Sequence, residues 1–362
     1  MPATPARTRL ICFYTDSTLV GGAETSLGHL VAELDPGLDV IVLGVDSRVV
    51  ERVASRRPGT ATEVLPPAET KRDAAAFVAH LRALRRLRPD VFHANLTSPG
   101  SCRYALLAAL LVPGVRAVAV EQLPYPIAGR LQLALKRWTS KRLAAHVAVG
   151  EGAAREIEAF VGLRHGSVRS IPNGVPDVPL EPLPRPFAGP TVGSLGRLDR
   201  QKGFDVLLRA LEELPEASLV LVGDGPERAA LEAQASGTGL TGRVLFASWA
   251  DEPRRHLTTF DVFVLPSRFE GFPLSVVEAM LAGLPVVATA VGSVSESVRE
   301  EETGLLVPPE DPHALSSALD RTLKAPELRA ELGRRGRELA LERFTAAAMA
   351  RSFEALYEEI LR

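Results

Sequence analysis

Two glutamates separated by seven residues, Glu270 and Glu278, flank the start of a predicted helix. An apolar run, DVFVL, precedes them and predicts a strand, and the loop from Glu270 to Pro273 leads into a helix that begins near Leu274. The first backbone N–H groups of a helix lack partners and hold anions. Glu278, in the helix, is then placed to accept bonds from ribose hydroxyls, and Glu270 from sugar hydroxyls. The polarity matches a sugar nucleotide; two solvated glutamates are the alternative.

Two cations, Arg197 and Lys202, lie between a predicted strand at Thr191–Leu195 and the helix that follows it. Cations at the carboxyl end of a strand, beside a helix N-terminus, suit a diphosphate. An ordinary solvated loop explains the same charges. Asp224 lies between two glycines, a pattern typical of a tight turn that needs positive φ.

Short apolar runs alternate with longer amphipathic runs along the whole chain, a pattern that predicts βα units and parallel sheets. In the first half we predict helices over 24–34 and 72–88, and strands at Leu10–Tyr14, Val40–Val45, Val91–His93, Val115–Val120 and Ala145–Val149. In the second half we predict helices over 204–214, 226–236, 252–259, 274–282, 293–300 and 312–323, and strands at Thr191–Leu195, Ser218–Val222, Val244–Phe246, Asp261–Leu265, Pro285–Ala288 and Gly304–Val307.

A proline-dense stretch separates the two halves and predicts a semi-rigid linker. We therefore predict an α/β protein with two Rossmann-like domains, at 1–175 and 191–344, joined by a linker over 176–190. A last helix over 345–362 is expected to pack back on the first domain. Ligands of doubly wound sheets bind beyond the carboxyl ends of their strands, so two such domains facing each other would form a cleft.

Composition excludes several classes of protein. The net charge of −2, the pI near 6.4 and the aromatic content of 5% give no sign of nucleic-acid binding. The two cysteines, Cys12 and Cys102, are not spaced like the ligands of a zinc site, and we expect both to be reduced thiols. Without an apolar run long enough to span a bilayer or a signal-peptide pattern, the sequence predicts a cytoplasmic protein.

A basic, amphipathic stretch over 130–142 holds Arg130, Lys136, Arg137, Lys141 and Arg142. It suits contact with anionic lipid head groups at the inner face of a membrane, or with an acidic acceptor. A helix with one solvated basic face is the alternative.

Five blocks of the sequence, taken in order, resemble the retaining GT-B glycosyltransferases of the GT4 family. They are Gly21-Gly22-Ala23-Glu24, IPNGV (171–175), GRLDRQKG (196–203), LVGDGPER (221–228) and PSRFEGFPLSVVEAMLAGLPVVAT (266–289). The resemblance covers nearly the whole chain. It implies an enzyme that moves a sugar from a UDP- or GDP-linked donor to an acceptor hydroxyl, with retention and without a metal or cofactor. The acceptor would be a glycan, a lipid-linked saccharide or a small-molecule glycoside.

The resemblance also implies roles for single residues. Arg197 and Lys202 would neutralise the donor diphosphate, Glu270 would hold the transferred sugar, and Glu278 would bind the ribose. Gly22 would bring a loop of the first domain, which would bind the acceptor, against the phosphates. The remaining donor-lining residues would be Trp249 and Ala250 beside the base, and Gly271, Phe272, Pro273 and Leu274 around the sugar and phosphate.

The first half departs from the family pattern at Glu121-Gln122, where relatives often carry a histidine. We hypothesise that Glu121 lines the cleft and orients the acceptor hydroxyl, and that His93, at the end of another strand, lies near the same cleft; a structural histidine is the alternative for His93. Two other functions stay open: an epimerase of the same fold, and a non-catalytic nucleotide-binding protein. A retaining glycosidase needs two carboxylates across one bond, which Glu270 and Glu278 do not provide.

Overall fold

The structure is a computed structural model, and it describes residues 8–68, 73–249 and 252–362. The chain forms two compact units: Met1–Pro176 together with Ala346–Arg362, and Asp177–Thr345. Of the residues singled out by sequence, Ala250 lies outside the described residues, as does residue 72, where one predicted helix begins.

The first unit is a seven-stranded parallel sheet in the order β3-β2-β1-β4-β5-β6-β7, with helices in its crossovers. The order reverses between β1 and β4, as in doubly wound folds. Its elements are β1 (Leu10–Thr15), α1 (Gly22–Glu33), β2 (Asp39–Gly44), α2 (Ser47–Ala54), β3 (Ala61–Val64), α3 (Ala74–Leu87), β4 (Val91–Leu96), α4 (Arg103–Leu110), β5 (Arg116–Glu121), α5 (Arg130–Ser140), β6 (Ala145–Ala148), α6 (Glu151–Val161) and β7 (Arg169–Ser170).

The C-terminal helix completes the first unit. This helix, α13, spans Ala346–Leu361 and packs against α1. Its buried side chains include Met349, Phe353 and Tyr357. The expected packing of the last helix on the first domain is therefore confirmed.

The second unit is a six-stranded parallel sheet in the order β10-β9-β8-β11-β12-β13. Five of its six strands are mostly apolar and almost entirely buried because helices cover the sheet, whereas the edge strand β10 is partly exposed. Its elements are β8 (Thr191–Leu195), α7 (Phe204–Glu212), β9 (Ser218–Val222), α8 (Arg228–Gly237), β10 (Val244–Ala247), β11 (Val262–Leu265), α9 (Leu274–Leu281), β12 (Val286–Thr289), α10 (Val294–Ser297), β13 (Gly304–Val307), α11 (Pro312–Lys324) and α12 (Pro326–Arg343).

Two predicted helices of the second unit differ in the structure. The segment predicted over 252–259 forms 3-10 turns at Pro253–Thr259, and the helix predicted over 293–300 is the single turn α10. An unpredicted helix, α12, follows α11. Its buried side includes Gly333 and Gly336, at which the helix backbone packs closely against its neighbours. The sequence therefore lacks the stripe of large apolar residues by which a helix is usually predicted.

Candidate functional site

Arg197, Lys202 and Glu270 lie on loops that leave β8 and β11. These strands are neighbours, and the strand order reverses between them. The segment Gly196–Gly203 follows β8, and the segment Pro266–Pro273 follows β11. Both loops therefore emerge at the topological switch point, where doubly wound sheets bind their ligands.

Lys202 and Glu270 form a buried ion pair between these two loops. Lys202 Nζ lies 2.5 Å from Glu270 Oε1, and the Ser267 hydroxyl donates to the same oxygen at 2.7 Å. The Lys202 and Glu270 side chains are 16% and 6% exposed. Glu270 Oε2 and two N–H groups of the ammonium stay available for a ligand's hydroxyl and phosphate oxygens. The sequence singled out both residues, though not their pairing, and it did not point to Ser267, because a single hydroxyl after an apolar strand forms no pattern.

Two glycines hold the Glu270 loop in place. Gly292 has φ +53°, and a Cβ built on it would lie 1.8 Å from the Glu270 carbonyl oxygen. The next residue, Ser293, donates its N–H to the Gly271 carbonyl at 3.1 Å. Gly203 has φ +66°, and a Cβ there would lie 2.1 Å from the Pro266 carbonyl oxygen. Only glycine permits these contacts.

Arg197 does not join the Lys202–Glu270 pair. Its guanidinium pairs with Asp199 at 2.6 Å, and its side chain is 65% exposed. Asp199 also caps the 3-10 turn Arg200–Lys202 by accepting the Lys202 N–H. The structure thus holds Arg197 at the solvent edge of the loop whose other end carries Lys202.

The N-terminus of α9 follows Glu270 directly. Pro273 is its N-cap residue and makes no side-chain capping bond, so no side chain of the cap satisfies the first N–H groups of the helix. Gly271, Phe272 and Pro273 are buried beneath this helix start, and Leu274 is partly exposed. The arrangement leaves a positive helix end beside an ammonium, which is a suitable setting for an anion.

Glu278 lies on α9 opposite Arg254. Glu278 Oε1 is 3.9 Å from Arg254 Nε, and both side chains are 14% exposed. Burial raises the pKa of Glu278, and the Arg254 guanidinium offsets part of that rise. A partly desolvated carboxylate of this kind accepts hydroxyl donors well. Arg254 carries no sequence signal, because it precedes α9 by a full strand.

Trp249 follows β10 and is 56% exposed. The backbone N–H of Trp249 donates to Asp224 Oδ2 at 3.1 Å, and the Arg228 guanidinium donates to Asp224 Oδ1 at 2.8 Å. Asp224 therefore fixes the backbone at Trp249, the residue expected to flank a base.

Gly22, the residue of the first unit expected near the phosphates, is the first residue of α1. The side chain of Glu24 organises this helix start. Its Oε2 accepts the Gly21 N–H at 3.1 Å, and its Oε1 accepts the Thr15 hydroxyl at 3.2 Å. Burial raises the pKa of Glu24, which these hydrogen bonds oppose.

His93, which was expected near a cleft or as a structural histidine, lies within β4 inside the first unit. His93 is buried against Phe13 and Phe353, and its Nδ1 lies 2.6 Å from the Tyr357 hydroxyl. Burial lowers the pKa of His93 to about 3, so the ring is neutral. His93 is a structural residue that joins β4 to α13.

Glu121, which was expected to line a cleft, is also enclosed within the first unit. Glu121 is 1% exposed, and its Oε1 lies 2.5 Å from Lys136 Nζ and 2.7 Å from His146 Nε2. Burial raises the pKa of Glu121, but Lys136 and His146 outweigh it and bring the pKa to about 2. A buried carboxylate of this acidity is a poor proton acceptor, so Glu121 has a structural role.

The basic stretch over 130–142 forms α5 and the turn after it. Lys136 points inward to Glu121, whereas Leu131 is 87% exposed and Trp138 is 42% exposed. The Arg142 guanidinium lies 4.1 Å from the centre of the Trp138 ring. Within the described ranges, no helix is long and apolar enough to cross a membrane.

Two family models match successive parts of the chain. "Glycosyltransferase Family 4" matches residues 20–177, and "Glycosyl transferases group 1" matches residues 182–339. Among curated proteins, the 2-deoxystreptamine glucosyltransferase of Streptomyces kanamyceticus is 33% identical over 67% of this chain and 66% of its own length. The lipopolysaccharide core biosynthesis glycosyltransferase LpsE of Rhizobium meliloti is 36% identical over 46% of this chain and 49% of its own length. The alignments thus span about half to two thirds of these relatives.

Solved structures match the fold over nearly the full chain. A glycosyltransferase from Rickettsia africae superposes with a TM-score of 0.86 at 16% identity, covering 99% of this chain and 100% of that one. Anabaena Alr3699/HepE in complex with UDP superposes with a TM-score of 0.82 at 20% identity, covering 97% of this chain and 100% of that one. The predicted GT-B class, with two Rossmann-like sheets, is confirmed.

Proposed function

The chain belongs to the group 1 glycosyltransferases of family 4, and from that premise we propose that it transfers a sugar from a nucleotide-sugar donor to an acceptor hydroxyl with retention of configuration. The observation that carries the proposal is the buried Lys202–Glu270 pair beside the N-terminus of α9. It combines an ammonium and helix amides for a diphosphate with a carboxylate for a sugar hydroxyl.

Each residue then has a defined task toward the donor. Lys202 and Arg197, with the first amides of α9, neutralise the diphosphate as it leaves, so the reaction needs no metal. Glu270 accepts bonds from the transferred sugar, and Glu278 from the ribose. Trp249, whose backbone N–H is held by Asp224, flanks the base.

The bond between the anomeric carbon and the phosphate oxygen breaks while a bond to the acceptor oxygen forms on the same face of the sugar. The departing phosphate oxygen takes the proton of the acceptor hydroxyl. Neither His93 nor Glu121 enters this scheme, which agrees with their burial.

The donor is a UDP- or GDP-linked sugar, and the acceptor is a glycan, a lipid-linked saccharide or a small-molecule glycoside. The names of two relatives support this range, since one acts on 2-deoxystreptamine and another is a GDP-mannose-dependent phosphatidylinositol monomannoside mannosyltransferase. The exposed Leu131 and Trp138 of α5, beside basic residues, support a peripheral contact with an anionic membrane surface.

A donor-binding test decides the proposal. UDP-, GDP-, ADP- and TDP-sugars are compared by thermal shift, and we expect one nucleotide class to raise Tm because it binds only the folded protein. Lys202→Ala should lower kcat by roughly 10²- to 10³-fold, the usual cost of losing one charge-stabilising donor. Arg200→Ala, an exposed cation two residues away, is the matched control and should change kcat little. No shift with any nucleotide, or full turnover by Lys202→Ala, would contradict the proposal.

A further inference from the structure

Arg268 lies in the loop that follows β11, two residues before Glu270, and its guanidinium uses all five of its N–H donors. Nη1 donates to the Arg200 carbonyl oxygen at 2.7 Å and to Asp205 Oδ1 at 2.8 Å, and Nη2 donates to Asp205 Oδ2 at 2.9 Å. Nη2 also donates to Glu310 Oε2 at 3.2 Å, and Nε donates to Glu310 Oε1. Among the side chains, only arginine carries five donors in one rigid plane.

The acceptors of this guanidinium come from three separate segments of the second unit. Arg200 begins the 3-10 turn that ends at Lys202. Asp205 lies in the first turn of α7, and Glu310 lies between β13 and α11. The hydrogen bonds from Arg268 hold the pKa of Asp205 below its ordinary value. One side chain thus ties three segments, including the Lys202 turn, to the loop after β11.

The Lys202 turn and the loop after β11 are also joined through their backbones. The Arg268 N–H donates to the Gln201 carbonyl oxygen at 2.8 Å, and the Gln201 side-chain amide donates to the Phe269 carbonyl oxygen at 2.9 Å. Gln201 and Phe269 are the residues directly before the two members of the buried ion pair. Because Lys202 has a flexible four-carbon side chain, the distance from its ammonium to Glu270 depends on how these two backbones are held.

Glu310 is held in a backbone conformation that a glutamate rarely adopts. Its φ is +61°, in the left-handed region. Such a conformation persists only where the surroundings impose it, and here both oxygens of the Glu310 carboxylate bond to the Arg268 guanidinium. The Glu310 side chain is half-exposed, and ion pairs of that kind add little stability in water. The pairing therefore contributes mainly to the position of the loops.

We propose that Arg268 is a positioning residue for sugar transfer, whose guanidinium clamps the Lys202 turn against the loop that carries Glu270. The clamp sets the distance between the ammonium that faces the diphosphate and the carboxylate that faces the sugar. This inference rests on the proposed function and adds to it a residue that acts through Lys202 and Glu270. Lysine cannot replace Arg268, because an ammonium has three donors and no planar fork.

The test is a double-mutant cycle measured by kcat. Arg268→Lys keeps the charge and removes the fork, and it should lower kcat roughly tenfold, because small misplacements at an active site have large kinetic effects. In the Lys202→Ala background the same change should lower kcat by less than about threefold, since one member of the pair that Arg268 aligns is already gone.

The matched control is Arg185→Lys. Arg185 also donates to both carboxylate oxygens of an aspartate, Asp261, and to a backbone carbonyl oxygen, that of Gly189. These contacts lie at the opposite end of the sheet, where β8 and β11 begin. The kcat and the donor KM of Arg185→Lys should equal those of the wild type.

Two further measurements separate the clamp from a general loss of stability. Hydrogen exchange without donor should be faster in peptides covering residues 197–203 and 266–271 for Arg268→Lys, and unchanged for Arg185→Lys. Glu310→Gly removes two of the five acceptor contacts, while glycine favours the positive φ at this position. This variant should therefore keep the wild-type Tm and lower kcat roughly threefold.

Three outcomes would overturn the positioning role. They are an equal tenfold loss of kcat in the wild-type and Lys202→Ala backgrounds, wild-type kcat in both Arg268→Lys and Glu310→Gly, and unchanged exchange in the two loops of Arg268→Lys. Absence of any donor-induced thermal shift in the wild type would sink the proposed function instead. Faster exchange in Arg268→Lys would then still show that the guanidinium holds the two loops together.

Discussion

The buried charges of the first unit show how one residue's environment decides its role. Glu121, Lys136 and His146 come from β5, α5 and β6, and Glu121 Oε1 lies within 2.7 Å of a nitrogen of each partner, away from solvent. Taking two charges out of water is costly, and only their close attraction repays the cost. The stability of the first unit is therefore sensitive to the loss of either Glu121 or Lys136, whichever reaction the protein catalyses.

Acid should weaken this cluster in a predictable pH range. The folded pKa of Glu121, about 2, lies below its ordinary value of 4.5, so the folded state favours the ionised form. The resulting stability is present above the ordinary pKa and is lost as pH falls toward the folded value. The difference corresponds to about 3 kcal/mol. Urea unfolding at a series of pH values between 7 and 3 should show a steeper acid loss in the wild type than in the double variant Glu121→Gln, Lys136→Met.

The double variant is the informative comparison because it removes both charges together. Lys136→Met alone leaves Glu121 charged and buried with only His146 beside it, and it should cost roughly 3 to 5 kcal/mol at pH 7. Parallel pH profiles for the wild type and the double variant would contradict the low pKa of Glu121.

The sequence could identify site residues whose surroundings are formed by residues nearby in the chain. Glu270 lies in the loop that leads directly into α9, and Glu278 lies in α9, so the motif was enough to identify both glutamates. His93 and Glu121 were not interpretable in this way. His93 lies within β4, which runs on to Leu96, and Glu121 ends β5, and the local sequence does not show whether either side chain meets a ligand or a distant side chain. The partner of His93, Tyr357, is 264 residues away, and no local pattern encodes that contact.

At the level of elements, tight backbone contacts hold the loops of the second unit at their strand ends. The turn after β12 presses Gly292 against the Glu270 carbonyl, and the start of α7 presses Gly203 against the Pro266 carbonyl. The loop that carries Glu270 is therefore fixed from two sides by neighbouring βα units. Such fixed loops supply the preorganisation that catalysis requires.

Gly292→Ala should displace Glu270 and lower kcat by roughly 10²-fold, since small misplacements at an active site have large kinetic effects. The new Cβ would overlap the Glu270 carbonyl oxygen at 1.8 Å, and φ of +53° adds backbone strain. Gly283→Ala is the matched control, because Gly283 has φ +76° but nothing within 4 Å of the added atom. Steady-state kinetics and Tm of both variants test this. Equal kcat losses in the two variants would show that strain alone matters.

Long apolar runs predicted the strands of the second unit, whereas several helices and short exposed strands were missed. The strands of the second unit are apolar runs bounded by turn residues, and their positions agree with the sequence within two residues at either end. The helix α12 was missed because it packs through glycine: a Cβ on Gly333 would lie 2.1 Å from the Gly283 carbonyl oxygen. Helices α2, α4 and α6 and strands β3 and β7 were missed as well. Helix α2 was missed although it buries Val49, Val50 and Val53 at helical spacing. All four residues of β3 are partly or fully exposed, so it lacks the apolar run that marks a strand.

At the scale of the whole molecule, the first unit is discontinuous in sequence. The chain completes the second unit at Thr345 and then returns, so that α13 covers α1 and contributes Phe353 and Tyr357 to the packing around His93 of β4. The first unit therefore gains its last helix only after the entire second unit has been synthesised. Folding of the first unit depends on contacts that are very distant in sequence, which slows folding.

Each unit should respond separately to damage in its own core. Phe353 is 3% exposed and lies 5.0 Å from the His93 ring between ring centres, so Phe353→Ala should destabilise the first unit by roughly 3 to 5 kcal/mol. Leu319 is fully buried in the core of the second unit, and Leu319→Ala is the matched control, at roughly 2 to 5 kcal/mol. Hydrogen exchange followed by mass spectrometry should show faster exchange in β1, β4 and α1 for Phe353→Ala, and in β8, β9 and β11 for Leu319→Ala. If both variants accelerate exchange in all six elements equally, the two units unfold as one cooperative body, and the C-terminal helix stabilises the whole chain instead of the first unit alone.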